Sequence, residues 1–246
     1  MQYNRGTFLS NIMPVTKHLL AINIIMWLAT LAFVYVFGID LYQYLGLHYW
    51  KASHFNPAQV FTYMFMHDYP SIGHLFVNMF SLWMFGSMLE RVLGSKRYLF
   101  YYITCGLGAA LVQELVWQLS WDSIWQGVVN GGRYVDLVNA VNAGEVPMDY
   151  CYDMLLTVGA SGAVFGLLLA FAMIFPNVKM YIIPIPFPVK AKWMVLGYAV
   201  LELFFGVSGH MSGVAHFAHL GGMIAGIIMI LYWKHDGTLT RGYGNY

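Results

Sequence analysis

The chain predicts an all-α membrane protein, a bundle of six transmembrane helices with both termini on the cytoplasmic side. Three observations carry that expectation. Of its 246 residues, 59% are hydrophobic and only 9% charged, whereas charged residues make up about a quarter of a soluble domain. Apolar runs recur along the chain at close to the roughly 20 residues that a helix needs to cross the hydrocarbon. Ten of the twelve Lys and Arg residues fall on one side of those runs, and that asymmetry sets how spans insert.

The first run, 18–39, is too long for a signal-peptide core and no A-x-A-like cleavage site follows it, so it reads as a retained span. The second and third cover 69–90 and 97–118. The fourth, 160–176, is the shortest, and the fifth, 192–207, is interrupted only by Glu202. The sixth covers 213–233. LGS at 93–95, PNVK at 176–179, IPIPFPVK at 183–190 and VSGHMSG at 207–213 supply the Gly and Pro expected of turns. No internal repeat is evident, so 1–246 reads as one membrane domain.

Arg5, Lys17, Arg91, Lys96, Arg97, Lys179, Lys190, Lys192, Lys234 and Arg241 define the cytoplasmic side, with Lys51 and Arg133 opposite. The long 119–158 connection carries Asp122, Asp136, Glu145, Asp149 and Asp153 and is assigned to the outside. Trp121, Trp125 and the series Val135, Val138, Val141 at near-helical spacing give it the pattern of an interfacial helix. A net charge of +1 with dispersed basic residues gives no reason to invoke nucleic acid. Cys105 in an apolar run and Cys151 in a connection make a weak case for a disulfide.

Polar side chains inside these spans are costly unless paired or used. Ser161 opens the short fourth span, about 24 Å long at 1.5 Å per residue, so its helix is expected to begin below the outer surface. Gly159 relaxes the backbone before it, and the free amides of a first helical turn favour a developing negative charge. That setting suits an acyl-transfer nucleophile. Packing is the competing reading, because Gly162 and Gly166 form a GxxxG contact motif.

His219 supplies the base that a serine nucleophile needs. Gly222 and Gly226 share its helix face and form a second GxxxG, a smooth strip on which the serine helix can lie. Phe165, one turn below Ser161, is positioned to pack on the imidazole, with an ordinary core aromatic as the alternative. His216 competes for the base role but lacks glycines at the same offsets and reads as an outer-mouth residue. His74 and Asn78, four apart, point from one face of the second span. They are candidate oxyanion donors, or else interhelical hydrogen-bonding residues. His67 and Asp68 read as outer-mouth residues. Glu202 and Glu114 lie at suitable depths to orient His219, but neither has a recognisable spacing, so the reading is a Ser-His dyad. Glu202 reads as a capping or pairing residue, and Glu90 with Arg91 as structural.

Taken together, HLFVN at 74–78, GASG at 159–162 and AHLGGMIAG at 218–226 resemble the rhomboid family of intramembrane serine proteases. The resemblance implies Ser161 as nucleophile, His219 as base, and Asn78, His74 and the Ser161 amide as the oxyanion hole. It implies transmembrane protein substrates cut within or near the lipid bilayer, and no metal or organic cofactor. The expected location is the bacterial inner membrane, as a multi-pass protein, with the active site opening to the side that the Lys and Arg residues avoid. Tyr49-Trp50-Lys51 departs from the Trp-Arg pair of many relatives, and the 119–158 connection is unusually long. Two other classes compete: an inactive rhomboid-like protein that binds membrane clients, and a His-lined channel or transporter.

Overall fold

Pro14 opens the first helix, α1 (Pro14–Ala32), where a fixed φ and a missing N–H cost nothing. The computed structural model describes residues 12–69, 71–181, 187–208 and 215–239. A π-helical turn, Phe33–Phe37, extends α1, so the span is Pro14–Phe37. Its start is held by Glu90, whose buried carboxylate accepts from the amides of Val15 (2.9 Å) and Thr16 (2.8 Å), from Thr16 Oγ1 (2.8 Å) and from Ser95 Oγ (2.6 Å). Those amides belong to the unpaired first turn of α1, which makes Glu90 a clamp between three helices.

A short helix α2 (Tyr42–Leu45), strand β1 (Leu47–His48) and helix α3 (Gln59–Thr62) lead to the second span. That span is α4 (Ile72–Ser81), a π-helical turn Leu82–Gly86 and α5 (Ser87–Leu93) in continuous succession. Gly94, at φ +76°, makes the sharp reversal into α6 (Ser95–Asn130), a backbone conformation that side chains disfavour.

At 36 residues α6 runs well past the expected 97–118. Hydropathy falls where Gln113 and Glu114 appear, yet nothing in 109–126 breaks a helix, and the end waits for Gly131 and Gly132. The rest of the 119–158 connection forms α7 (Val135–Asn142), α8 (Met148–Tyr152) and β2 (Leu156–Thr157). Strand β2 pairs antiparallel with β1. Asp153 reinforces this joint by accepting from Ser53 Oγ and from His54, whose Nδ1 is 2.8 Å away. Partial burial opposes the Asp153 charge, but these hydrogen bonds hold the carboxyl below its usual range.

The remaining helices are α9 (Ser161–Ile174), α10 (Ala191–Ser208) and α11 (His216–His235), with a small hairpin β3 (Lys179–Met180) and β4 (Val189–Lys190) between α9 and α10. Among the described residues five helices are long and apolar enough to cross a membrane, and α9, at 14 residues, is shorter. The expected turns at 183–190 and 207–213, the first two residues of the 213–233 span, and Arg5 and Arg241 lie partly or wholly outside the described residues. Helix α11 is the hub, packed against α6, α9 and α10.

Candidate active site

Strand β2 delivers the chain to Gly159, whose amide donates to the Tyr63 carbonyl (3.0 Å). Tyr63 is itself buried and anchored by its hydroxyl to the Gly106 carbonyl (2.7 Å). Gly159 adopts φ +136°, and the helix begins two residues later with Ser161 at its first position. The serine is therefore fixed from two sides, by the strand joint and by α6.

Across from it, α11 approaches so closely that a β-carbon at Gly222 would overlap the Gly162 backbone. Gly166 lies against the Gly222 carbonyl and Cys105. Gly226, expected to meet the same strip, instead packs against Tyr101 and Cys105 of α6, and Tyr101 donates to the Gly166 carbonyl (2.8 Å). The seam thus joins three helices rather than two.

This backbone contact sets Ser161 Oγ and His219 Nε2 2.8 Å apart. Phe165 lies flat on the imidazole, with centroids 4.3 Å apart and planes 7° from parallel. A ring stacked in this way restricts rotation of the imidazole while leaving both nitrogens free for hydrogen bonds.

His74 and Asn78 line the same cavity of about 860 Å³ as Ser161 and His219. His74 Nδ1 accepts weakly from the Asp68 amide (3.4 Å), which leaves Nε2 as the N–H. That nitrogen faces Gly159: a β-carbon there would lie 3.1 Å from Nε2 and 3.5 Å from Ser161 Oγ. Asn78 Nδ2 donates one hydrogen to the His74 carbonyl (3.0 Å), and its second remains for the cavity. His67, just before α4, is fully buried. Burial, with the His74 ring 5.3 Å away, pushes its imidazole down to about 3.

A carboxylate stands beside the two side chains of the expected dyad. Glu202 Oε2 lies 2.9 Å from His219 Nδ1 and 2.6 Å from His216 Nδ1. The His216 contact is an aligned hydrogen bond, whereas the N–H direction of His219 is off the line to the same oxygen. His216 is buried and paired. Glu114 is not at the site, since its Oε2 accepts from the Trp50 amide (3.0 Å). An ionisable residue in an otherwise uncharged stretch of α10 was the available sign of Glu202's place; its partner, on another helix, left no spacing to read.

A Rhomboid domain model matches residues 54–235, most of the chain. The chain belongs to the rhomboid family. It is 30% identical over 164 residues to Rhomboid protease AarA of Providencia stuartii, covering 65% of this chain and 50% of that protein. It is 27% identical over 155 residues to the mitochondrial Rhomboid protein 1 of Saccharomyces cerevisiae, covering 63% and 36%. Identity to the human mitochondrial presenilin-associated rhomboid-like protein is 24% over 176 residues, covering 70% and 38%. The chain spans half or less of the length of these curated relatives. The rhomboid match contains all three polar strings and the whole cavity just described.

Proposed function

We propose that this rhomboid is an intramembrane serine endopeptidase that cleaves transmembrane segments of membrane proteins. The observation that carries the reading is the 2.8 Å contact between Ser161 Oγ and His219 Nε2, inside a cavity that also holds two hydrogen-bond donors. His219 takes the hydroxyl proton as Oγ attacks the scissile carbonyl. Asn78 Nδ2, His74 Nε2 and the Ser161 amide receive the oxyanion. His219 then protonates the leaving amine, and water releases the acyl group by the reverse path. Gly159, Gly162, Phe165, Gly222 and Gly226 support this geometry.

In this reading α9 is a sixth crossing, both termini are cytoplasmic, and the cavity opens outward from the bacterial inner membrane. Six basic residues at the expected cytoplasmic ends of described spans, among them Lys17, Lys96 and Lys234, support that orientation. The test is fluorophosphonate labelling of the detergent-purified protein together with cleavage of a model transmembrane substrate. Wild type is expected to label at Ser161 and to produce fragments, while Ser161→Ala and His219→Ala do neither. Substrate binding without labelling or product would favour an inert client-holding protein instead.

A further inference from the structure

Helix α10 turns most of its length outward, and its buried residues cluster near its start. Glu202 is the only acidic residue on it, yet its side chain is only 14% exposed and faces inward onto α11. His216 and His219 stand three apart on one face of α11, and the Nδ1 atoms of both lie close to the same carboxylate oxygen, at 2.6 and 2.9 Å. A carboxylate with water on hand has no reason to lean on two buried imidazoles at such short range, and a helix packing loosely elsewhere has spent one of its few inward positions on this contact.

We propose that Glu202 is a positioning residue for catalysis: it holds His219 in the tautomer with hydrogen on Nδ1, so that the Nε2 lone pair faces Ser161, while His216 holds the carboxylate in place. The inference rests on the protease reading above. A neutral imidazole acts as base only through its unprotonated nitrogen, and Nε2 is the one that meets Oγ. The hydrogen must then sit on Nδ1, where Glu202 Oε2 is the acceptor within reach. In the opposite tautomer two lone pairs would face each other across 2.9 Å.

In the resting site the aligned bond of Oε2 goes to His216. When His219 takes the Ser161 proton it becomes a cation beside a carboxylate, and a small rotation of Glu202 brings Oε2 into line. The proton itself moves only from Oγ to Nε2 and on to the leaving amine; Glu202 gains none. The other polar groups around His219 are Ser161 from α9, His74 from α4, Tyr198 from α10 and His216 from its own helix, with Asp68 as a further carboxylate lining the cavity; of the two carboxylates, Glu202 is the one in contact with His219 Nδ1.

The test combines kinetics of the full chain in detergent with ¹⁵N NMR of histidine-labelled protein. Glu202→Gln keeps the volume but presents an amide that donates as readily as it accepts. It is expected to lower kcat by about 10²–10³-fold with KM within about twofold, somewhat less than the roughly 10⁴-fold seen when an aligned triad carboxylate becomes an amide. The His219 resonances are expected to move from the Nδ1–H pattern toward Nε2–H. Glu202→Asp keeps the charge and is expected to recover part of kcat, which a space-filling role would not do. His216→Phe leaves Glu202 to His219 and is expected to cost no more than about tenfold. A Glu202→Gln enzyme within threefold of wild type, an unchanged His219 tautomer, or a His216→Phe loss as large as that of Glu202→Gln would each overturn the inference. Should Glu202→Gln fail to fold, an Asp variant with full kcat overturns it equally. If wild type neither labels nor cleaves, the protease reading fails, and the tautomer measurement still decides what Glu202 does.

Discussion

Helices α10 and α11 are successive along the chain and built to opposite rules. Along α11, Gly221, Gly222 and Gly226 bring the backbone against α6 and α9 with no room for a β-carbon. On α10, Gly197 has open space around it, and Leu196, Val200, Leu203 and Phe204 face outward. Ser161 and His219 stand on the closed seam; Glu202 stands on the open helix. Atoms that must meet within a hydrogen bond are carried by backbones in contact, where the fewest side-chain rotamers separate one from the other.

The comparison breaks most readily at the seam. Gly222→Ala forces α9 and α11 apart and is expected to abolish cleavage and to lower the unfolding temperature in detergent, since overpacking costs about 1–3 kcal/mol or more. An active, stable Gly222→Ala protein would show that the contact does not set the site. Next in size is the third wall of the cavity: Asn78→Ala is expected to reduce kcat by about 10²–10³-fold with a smaller change in KM. An effect confined to KM would remove Asn78 from the oxyanion site. Phe165→Ala, which frees the imidazole without touching either reacting atom, is expected to cost about tenfold in kcat, because small misplacements of reacting groups are expensive.

A smaller effect comes from the loop that feeds α4. The folded protein keeps His67 neutral down to about 3, while an unfolded chain protonates it near its ordinary 6.5. Between those values the unfolded state binds the extra proton, so stability is present above about pH 6.5 and lost as pH falls toward 3. Unfolding temperatures across that window should decline more steeply for wild type than for His67→Phe. Smallest of all, Gly197→Ala on the open helix meets no neighbour and is expected to be neutral or to stabilise by about 0.5–1 kcal/mol, with cleavage unchanged. The same substitution, glycine to alanine, would then be ruinous on one helix and harmless on the next.

The apolar runs were legible because hydrocarbon demands them, and so was a helix within 135–141, because its apolar residues keep helical spacing. The length of α6 was not, since hydropathy marks where lipid ends and helix ends are marked by breakers, here Gly131 and Gly132. The three polar strings could be found as motifs, but the contacts that join them belong to helix crossings. Gly226 illustrates this: its face was readable, its neighbour Tyr101 was not. Glu202 stood out as a charge in an uncharged span, whereas its two histidine partners, 14 and 17 positions away, became visible only in three dimensions.

With no gap between Gly162 and Gly222, α9 and α11 meet backbone to backbone, and the Ser161 hydroxyl and the His219 imidazole face each other across that weld. Helices α4 and α10 border the same cavity from its other sides.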